Sequence, residues 1–167
     1  MRSQLTKSDV KKIEEEIEHR KLVVRKEALE AVKEARAHGD LSENFEYHAA
    51  KKDKNQNESR IRYLERMLKT ASVISDESKA DEVGLNNTVT VYFPEDDMSE
   101  TYRLVTSIRG NSMKGLISIE SPIGKAIRGH KEGDTVLVKV SDDYSYELTI
   151  QKIDKTQDDS GDAIKQF

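Results

Sequence analysis

The 167-residue chain has no cysteine and no tryptophan, only three Phe and two Pro, and aromatic residues make up 5 % of it. Each absence removes a class of protein. Without cysteine there is no disulfide scaffold, no thiolate metal site and no cysteine nucleophile. No window approaches 18 apolar residues, so a membrane span is excluded. The charged start, MRSQLTKSDVKKIEEE, lacks the apolar run of a signal peptide, and a soluble, cytoplasmic chain is expected. So few aromatics beside 36 % charged residues argue against one large core. They favour an elongated, surface-rich shape or two small units.

What is present divides the chain in two. Residues 1–83 hold one glycine, Gly39, and no proline; residues 84–167 hold seven glycines and both prolines, Pro94 and Pro122. Breakers that sparse predict long uninterrupted helices first and a punctuated sheet second. Charge divides at a similar place. Residues 1–75 carry 17 Lys and Arg against 14 Asp and Glu, and the remainder carry 11 against 18. The expected organisation is a helical hairpin over 1–75, a linker over 76–84, a sheet domain over 85–153 and a polar, frayed tail over 154–167.

Thr6 as N-cap with Asp9 three positions on, and Leu5 placed to staple against Val10, predict the first helix start. Ile13, Ile17, Val24, Ala28, Val32 and Ala35 then recur at helical spacing, and Gly39 suits a left-handed stop. A second helix carries Ile61, Leu64, Leu68 and Ala71 at the 3-4-3 spacing of a coiled-coil seam. Two such helices joined by a short turn form an antiparallel hairpin with arms of about 45 Å, its turn far from any second domain. Between Lys51 and Arg60 the seam offers almost nothing apolar, leaving a polar surface for something outside the fold. In the second half, Thr88–Phe93, Thr101–Thr106, Leu116–Ile119, Thr135–Val140 and Tyr146–Ile153 read as strands. Ser121-Pro122 opens a short helix that closes at Gly129. The class is α+β, with an antiparallel β domain carrying one short helix.

The chemistry concentrates at the hairpin turn, Asp40-Leu41-Ser42-Glu43-Asn44. Asp40 as N-cap and Glu43 at N3 make a capping box worth roughly 1 kcal/mol. The same geometry turns both carboxylates outward. His38, Asp40, Glu43, Glu46 and His48 crowd together in sequence, but a turn has no walls to converge four ligands on Zn²⁺. Mg²⁺ takes one or two carboxylates and completes its shell with water and phosphate oxygens. The turn therefore offers half of a Mg²⁺ site, useful where another macromolecule supplies the rest. Lys51, Lys52 and Lys54 follow, either as a solvated face or as a hold on a nucleic-acid backbone.

The segment HGDLSENFEYHAAK, residues 38–51, resembles the tip signature of the bacterial Gre transcript-cleavage factors, nearer the GreA branch. ISIESPIGKA, residues 117–126, followed by Gly129, Gly133 and Asp134, is a second match in the expected order, and the likeness spans roughly residues 5–153. The resemblance implies a coiled-coil hairpin and an FKBP-like C-terminal domain. It implies a monomeric, non-membrane partner of bacterial RNA polymerase that enters the secondary channel when the enzyme has backtracked. There it stimulates the polymerase's own cleavage of the extruded RNA 3′ end, and is not itself an enzyme. By matching positions, Asp40 and Glu43 help hold a second Mg²⁺ and its attacking water, shared with the polymerase and not bound tightly alone, with Ser42 as a positioning contact. Lys51, Lys52 and Lys54 fall on the RNA-facing basic patch, and Glu120, Ser121 and Pro122 on the polymerase-docking segment.

Phe45 stands where the family usually has a small Ala, and the tail after Asp154 runs past the usual end. The rival reading is a channel-plugging regulator that inhibits polymerase without cleavage; the intact Asp40/Glu43 pair argues against it. Prolyl isomerisation, which an FKBP-like domain suggests, wants an aromatic-walled pocket. The second half offers only Tyr92, Phe93, Tyr102, Tyr144, Tyr146 and Phe167 for one.

Overall fold

The computed structural model describes residues 2–40 and 44–166. The chain forms two compact units, one of residues 1–3 and 9–72, the other of residues 4–8 and 73–167. Two two-residue strands, β1 (Gln4–Leu5) and β2 (Ser72–Val73), lie at the sequence positions where the chain leaves one unit for the other.

The first unit is a hairpin of helices. α1 spans Lys7–His19, α2 spans Arg25–Arg36 and α3 spans Phe45–Thr70. α1 starts directly after Thr6, where the capping pattern places it. Ile13, Val32, Ala35, Ile61 and Leu64 are buried, whereas Leu68 and Ala71 are only half-buried. The first arm is not uninterrupted. Arg20–Val24 forms a π-helical turn, in which the Arg25 N–H donates five residues back to the Arg20 carbonyl.

That turn explains what the apolar-poor part of α3 does. Asn57 is buried; its Nδ2 donates to the Arg20 carbonyl at 3.2 Å and its Oδ1 accepts from Arg20 Nη1 at 3.0 Å. Beside it the buried Arg60 donates from Nε to Glu16 Oε2 at 2.9 Å, and Arg20 Nε donates to the same oxygen at 2.7 Å. Arg25 grips Glu58 with two bonds, 2.7 and 2.9 Å. The far part of that polar stretch, Asn57, Glu58 and Arg60, thus ties α3 to the first arm, whereas Lys51 and Lys52 stay exposed. A π-turn widens the helix and re-aims its carbonyls, and side-chain amides meet such groups well. Exchanging Asn57 for Ala removes the second donor from the Arg20 carbonyl and one acceptor from the half-buried Arg20 guanidinium. The Asn57→Ala variant is expected to lose about 1–3 kcal/mol in denaturant unfolding followed by far-UV circular dichroism.

The second unit holds a five-stranded sheet: β3 (Thr88–Phe93), β4 (Met98–Val105), β5 (Leu116–Ser118), β6 (Thr135–Lys139) and β7 (Ser145–Asp154). The spatial order is β5-β4-β3-β7-β6. Three pairings are antiparallel, as expected; β5 differs and runs parallel to β4, making the sheet mixed. Alternation puts Val89 and Val91, Val136 and Val138, and Leu148 and Ile150 on the buried face. A short helix, α4 (Pro122–Ile127), adds Ile127 to that core.

The tail is ordered against this unit rather than frayed. Lys155 Nζ donates to Ser78 Oγ and to the carbonyls of Lys79 and Glu82, at 2.7 to 3.0 Å. Gln157 Nε2 donates to Asp76 Oδ2 at 2.7 Å. Further along, Asp162 lies between Arg103 and Arg109, accepting from Arg109 Nη1 at 2.8 Å through its other carboxylate oxygen than the one on Arg103. The Arg109 side chain has no solvent exposure at all. A guanidinium that deep is tolerated only with a counter-charge, and the tail supplies it.

Burial pushes the Asp162 carboxyl up, but hydrogen bonds and charge from Arg103 and Arg109 outweigh it and hold the pKa below the ordinary value. A depressed folded pKa stabilises above the unfolded carboxylate value of about 3.9, and that stabilisation is lost as pH falls through the folded value. Asp162→Asn is therefore expected to destabilise by about 3–5 kcal/mol at neutral pH. Urea midpoints of variant and wild type should converge as acid protonates Asp162.

Candidate nucleic-acid interface at the hairpin turn

α2 closes with the Ala37 and His38 amides donating to the carbonyls of Glu34 and Ala35 at 3.1 and 3.2 Å. Gly39 follows with φ +125°, a positive angle well past the left-handed helical well expected for it. Asp40 comes next and is exposed. Ser42 and Glu43 lie outside the described residues.

Helix α3 starts later than a capping box at Asp40 requires. Its N-cap is Asn44, in extended conformation, whose side-chain oxygen accepts from the Tyr47 N–H at 3.0 Å. The other end of the same amide donates to the Ala35 carbonyl at 2.7 Å. One side chain thus caps α3 and pins it to the last turn of α2. Asn is as good an N-cap as Asp. It alone of the two carries a donor for the carbonyl opposite. Asp40, four residues upstream, is thereby excluded as the cap of α3.

Beyond the cap the surface turns basic around one ring. The guanidinium of Arg36 lies 5.6 Å from the Tyr47 ring centroid and Lys51 Nζ lies 6.0 Å from it. A hydrogen bond from Arg36, with the charges of Lys51 and Lys54, outweighs desolvation and lowers the Tyr47 phenol from its ordinary value. Tyr47, Lys51 and Lys54 follow one another at i, i+4 and i+7, one face of α3. Lys52 is exposed one position round. Arg36 was not among the candidate residues of the sequence reading. The hairpin folds residue 36 back beside residue 47, a neighbour that only the paired arms reveal.

Each tip histidine has its own neighbour. His38 Nδ1 meets Glu46 Oε2 at 3.1 Å, and the His48 ring sits 5.5 Å from the Tyr47 ring. Among the described residues no three His, Asp or Glu side chains group as metal ligands. Phe45, the first residue of α3, is 86 % exposed.

On the second unit, Ser121 caps α4: its Oγ accepts from the Gly124 N–H at 3.1 Å and donates to the Ser118 carbonyl at 2.6 Å. A Cβ at Gly124 would stand 2.0 Å from that carbonyl oxygen, so the turn requires glycine. Glu120 is exposed and accepts from Ser107 Oγ at 2.7 Å; Pro122, at the first helical position, is exposed. Ser121 shapes the segment, while Glu120 and Pro122 present themselves to solvent.

Replacing Asn44 by Ala removes both the cap and the tie to Ala35. Asn44→Ala is expected to cost about 1–2 kcal/mol locally. Hydrogen exchange at the Tyr47 and His48 amides should accelerate by roughly tenfold, with exchange in the sheet unchanged.

Comparison with known proteins adds an independent finding. A transcription elongation factor N-terminal profile matches residues 3–73, and a GreA/GreB C-terminal profile matches residues 77–155. Transcription elongation factor GreA of Thermoanaerobacter pseudethanolicus is 48 % identical over 137 residues, covering 81 % of this chain and 87 % of that protein. GreA of Streptococcus pneumoniae is 40 % identical over 153 residues, covering 91 % and 95 %. The solved structure of GreA factor homolog 1 of Thermus thermophilus aligns with 92 % of this chain and 99 % of its own, at 25 % identity and a TM-score of 0.42.

Proposed function

The chain belongs to the GreA/GreB family of transcription elongation factors, and from that premise we propose that it presents the hairpin turn to a backtracked RNA polymerase and stimulates cleavage of the RNA there. The observation that carries this reading is an exposed Asp40 one residue after Gly39, together with the charges of Arg36 and Lys51 gathered around the Tyr47 ring.

Each part has its physical task. Phosphodiester hydrolysis by two metals needs one ion to activate water and one to stabilise the leaving oxygen. Mg²⁺ accepts hard carboxylate oxygens and leaves positions for water and phosphate, so an exposed aspartate is a fitting partial donor. Asp40 would hold the weaker ion together with Glu43, whose part rests on the family resemblance, as does that of Ser42. When bound, that ion supplies charge neutralisation and an acidified water. The residues of this chain do the positioning. Asn44 locks the start of α3 to the last turn of α2. The basic face attracts the RNA backbone and opposes its repulsion by the acids. The remaining chemistry belongs to the polymerase, which is why the hairpin needs no pocket of its own. Glu120 and Pro122 serve docking, on the frame that Ser121 and Gly124 hold.

The decisive experiment is RNA release from a purified backtracked polymerase complex in Mg²⁺. Wild type should release 3′ fragments, and Asp40→Ala should release them about 100-fold more slowly while binding polymerase equally well. Pro122→Arg should instead weaken polymerase binding. If wild type released nothing and merely slowed nucleotide addition, the chain would be a channel-blocking regulator.

A further inference from the structure

The second unit gathers four aromatic rings that linear reading left scattered. Phe93 ends β3, Tyr102 lies in β4, Tyr144 immediately precedes β7 and Tyr146 is its second residue. The Phe93 and Tyr146 ring centroids are 6.0 Å apart with planes tilted by 48°, and those of Tyr144 and Tyr146 are 6.0 Å apart at 45°. Together with Tyr102 they wall an open cavity of about 260 Å³. Its back is fixed, because Phe93, Tyr102 and Tyr146 pack against the domain core. Its front is not, because Tyr144 is 56 % and Met98 54 % exposed.

The rim is of one sign. Glu95, Asp96, Glu100 and Glu147 line the cavity, all four are exposed, and no Lys, Arg or His lines it. The phenols reinforce that sign. Tyr102 Oη donates to Glu100 Oε2 at 2.5 Å, so its proton is committed to the rim. Burial and the Glu100 carboxylate push the Tyr102 phenol well above its ordinary value, and burial with Tyr144 pushes Tyr146 up. The rings are therefore neutral and electron-rich, and they share the cavity with carboxylates.

A ring face and a carboxylate are both negative, and both attract a cation. Aromatic walls favour one that is planar and weakly hydrated, and the carboxylates favour one that donates in a fork. Guanidinium meets both conditions better than ammonium does. The space suits a side chain rather than a cofactor. We propose that this cavity docks an arginine side chain, presented on an exposed segment of a partner protein, stacked on Tyr144 and Tyr146 and paired with the rim carboxylates. The proposal concerns residues 93–102 and 144–147 and stands apart from the cleavage reading, whose docking segment is residues 120–122. It also gives the aromatic cluster a role that does not require proline isomerisation.

The test titrates the full-length protein with acetyl-Gly-Gly-Arg-Gly-Gly-amide and follows the tyrosine ring signals by ¹H–¹³C NMR. Saturable shifts at Tyr144 and Tyr146 in the millimolar range are expected. The peptide with citrulline in place of arginine keeps the shape without the charge and should bind about tenfold more weakly. Glu147→Gln and Tyr144→Ala alter exposed side chains, leave the core intact, and should each weaken the arginine peptide several-fold. Equal binding of the citrulline peptide would overturn the proposal in favour of an apolar groove. Shifts confined to other residues, or no shift at 50-fold excess over about 1 mM, would overturn it outright.

Discussion

The hairpin depends on one carbonyl. Arg20 stands at a π-turn, where its C=O receives the Arg25 amide from five residues on and an amide from Asn57 on the opposite helix. Nothing apolar occupies that stretch of α3, so burial cannot hold the arms together there. Hydrogen bonds and ion pairs do instead, through Asn57, Glu16, Arg60 and Glu58. Glu16 is shared between Arg20 and Arg60, and Arg25 is forked onto Glu58. Burial raises the Glu16 carboxyl, yet its two arginine partners bring it below its ordinary value. A network of this kind also selects one register of the two arms, since a shift by one residue would unpair all of it. The turn inherits its position from that register.

At the turn, the same economy recurs with a single side chain. Asn44 accepts from its own helix and donates to the other. Around Tyr47 the two arms contribute charge of one sign, Arg36 from α2 and Lys51 from α3, next to an acidic turn. The sheet unit solves a different problem, a guanidinium with no access to water, by bringing the end of the chain back over it.

Much of this was legible beforehand. β3 was read to its exact residues, and the start of α1 and the Ser121-Pro122 opening of α4 stood where capping rules put them. These are local signals: alternation, a cap, a proline at the first helical position. The π-turn was not legible, because Arg-Lys-Leu-Val-Val has no breaker and its deformation answers Asn57, 37 residues away. The cap of α3 was misplaced because Asp40 and Asn44 are equal by propensity. Only the Ala35 carbonyl across the turn distinguishes an amide from a carboxylate. The tail read as frayed for the same reason: Asp162 has no local partner and finds Arg109 across 53 residues.

By itself the sequence determined the class of fold, the helical hairpin and the alternating core of the sheet. Those follow from periodicity and side-chain type, which act between near neighbours. The tertiary structure alone decided which polar residues turn inward, that Arg36 joins the basic face, that the tail neutralises a buried arginine, and that four scattered aromatics share one carboxylate-rimmed cavity. Each of those outcomes is a pairing between groups far apart in the chain. Such pairings are set by where the backbone places the partners, and not by what the residues prefer alone.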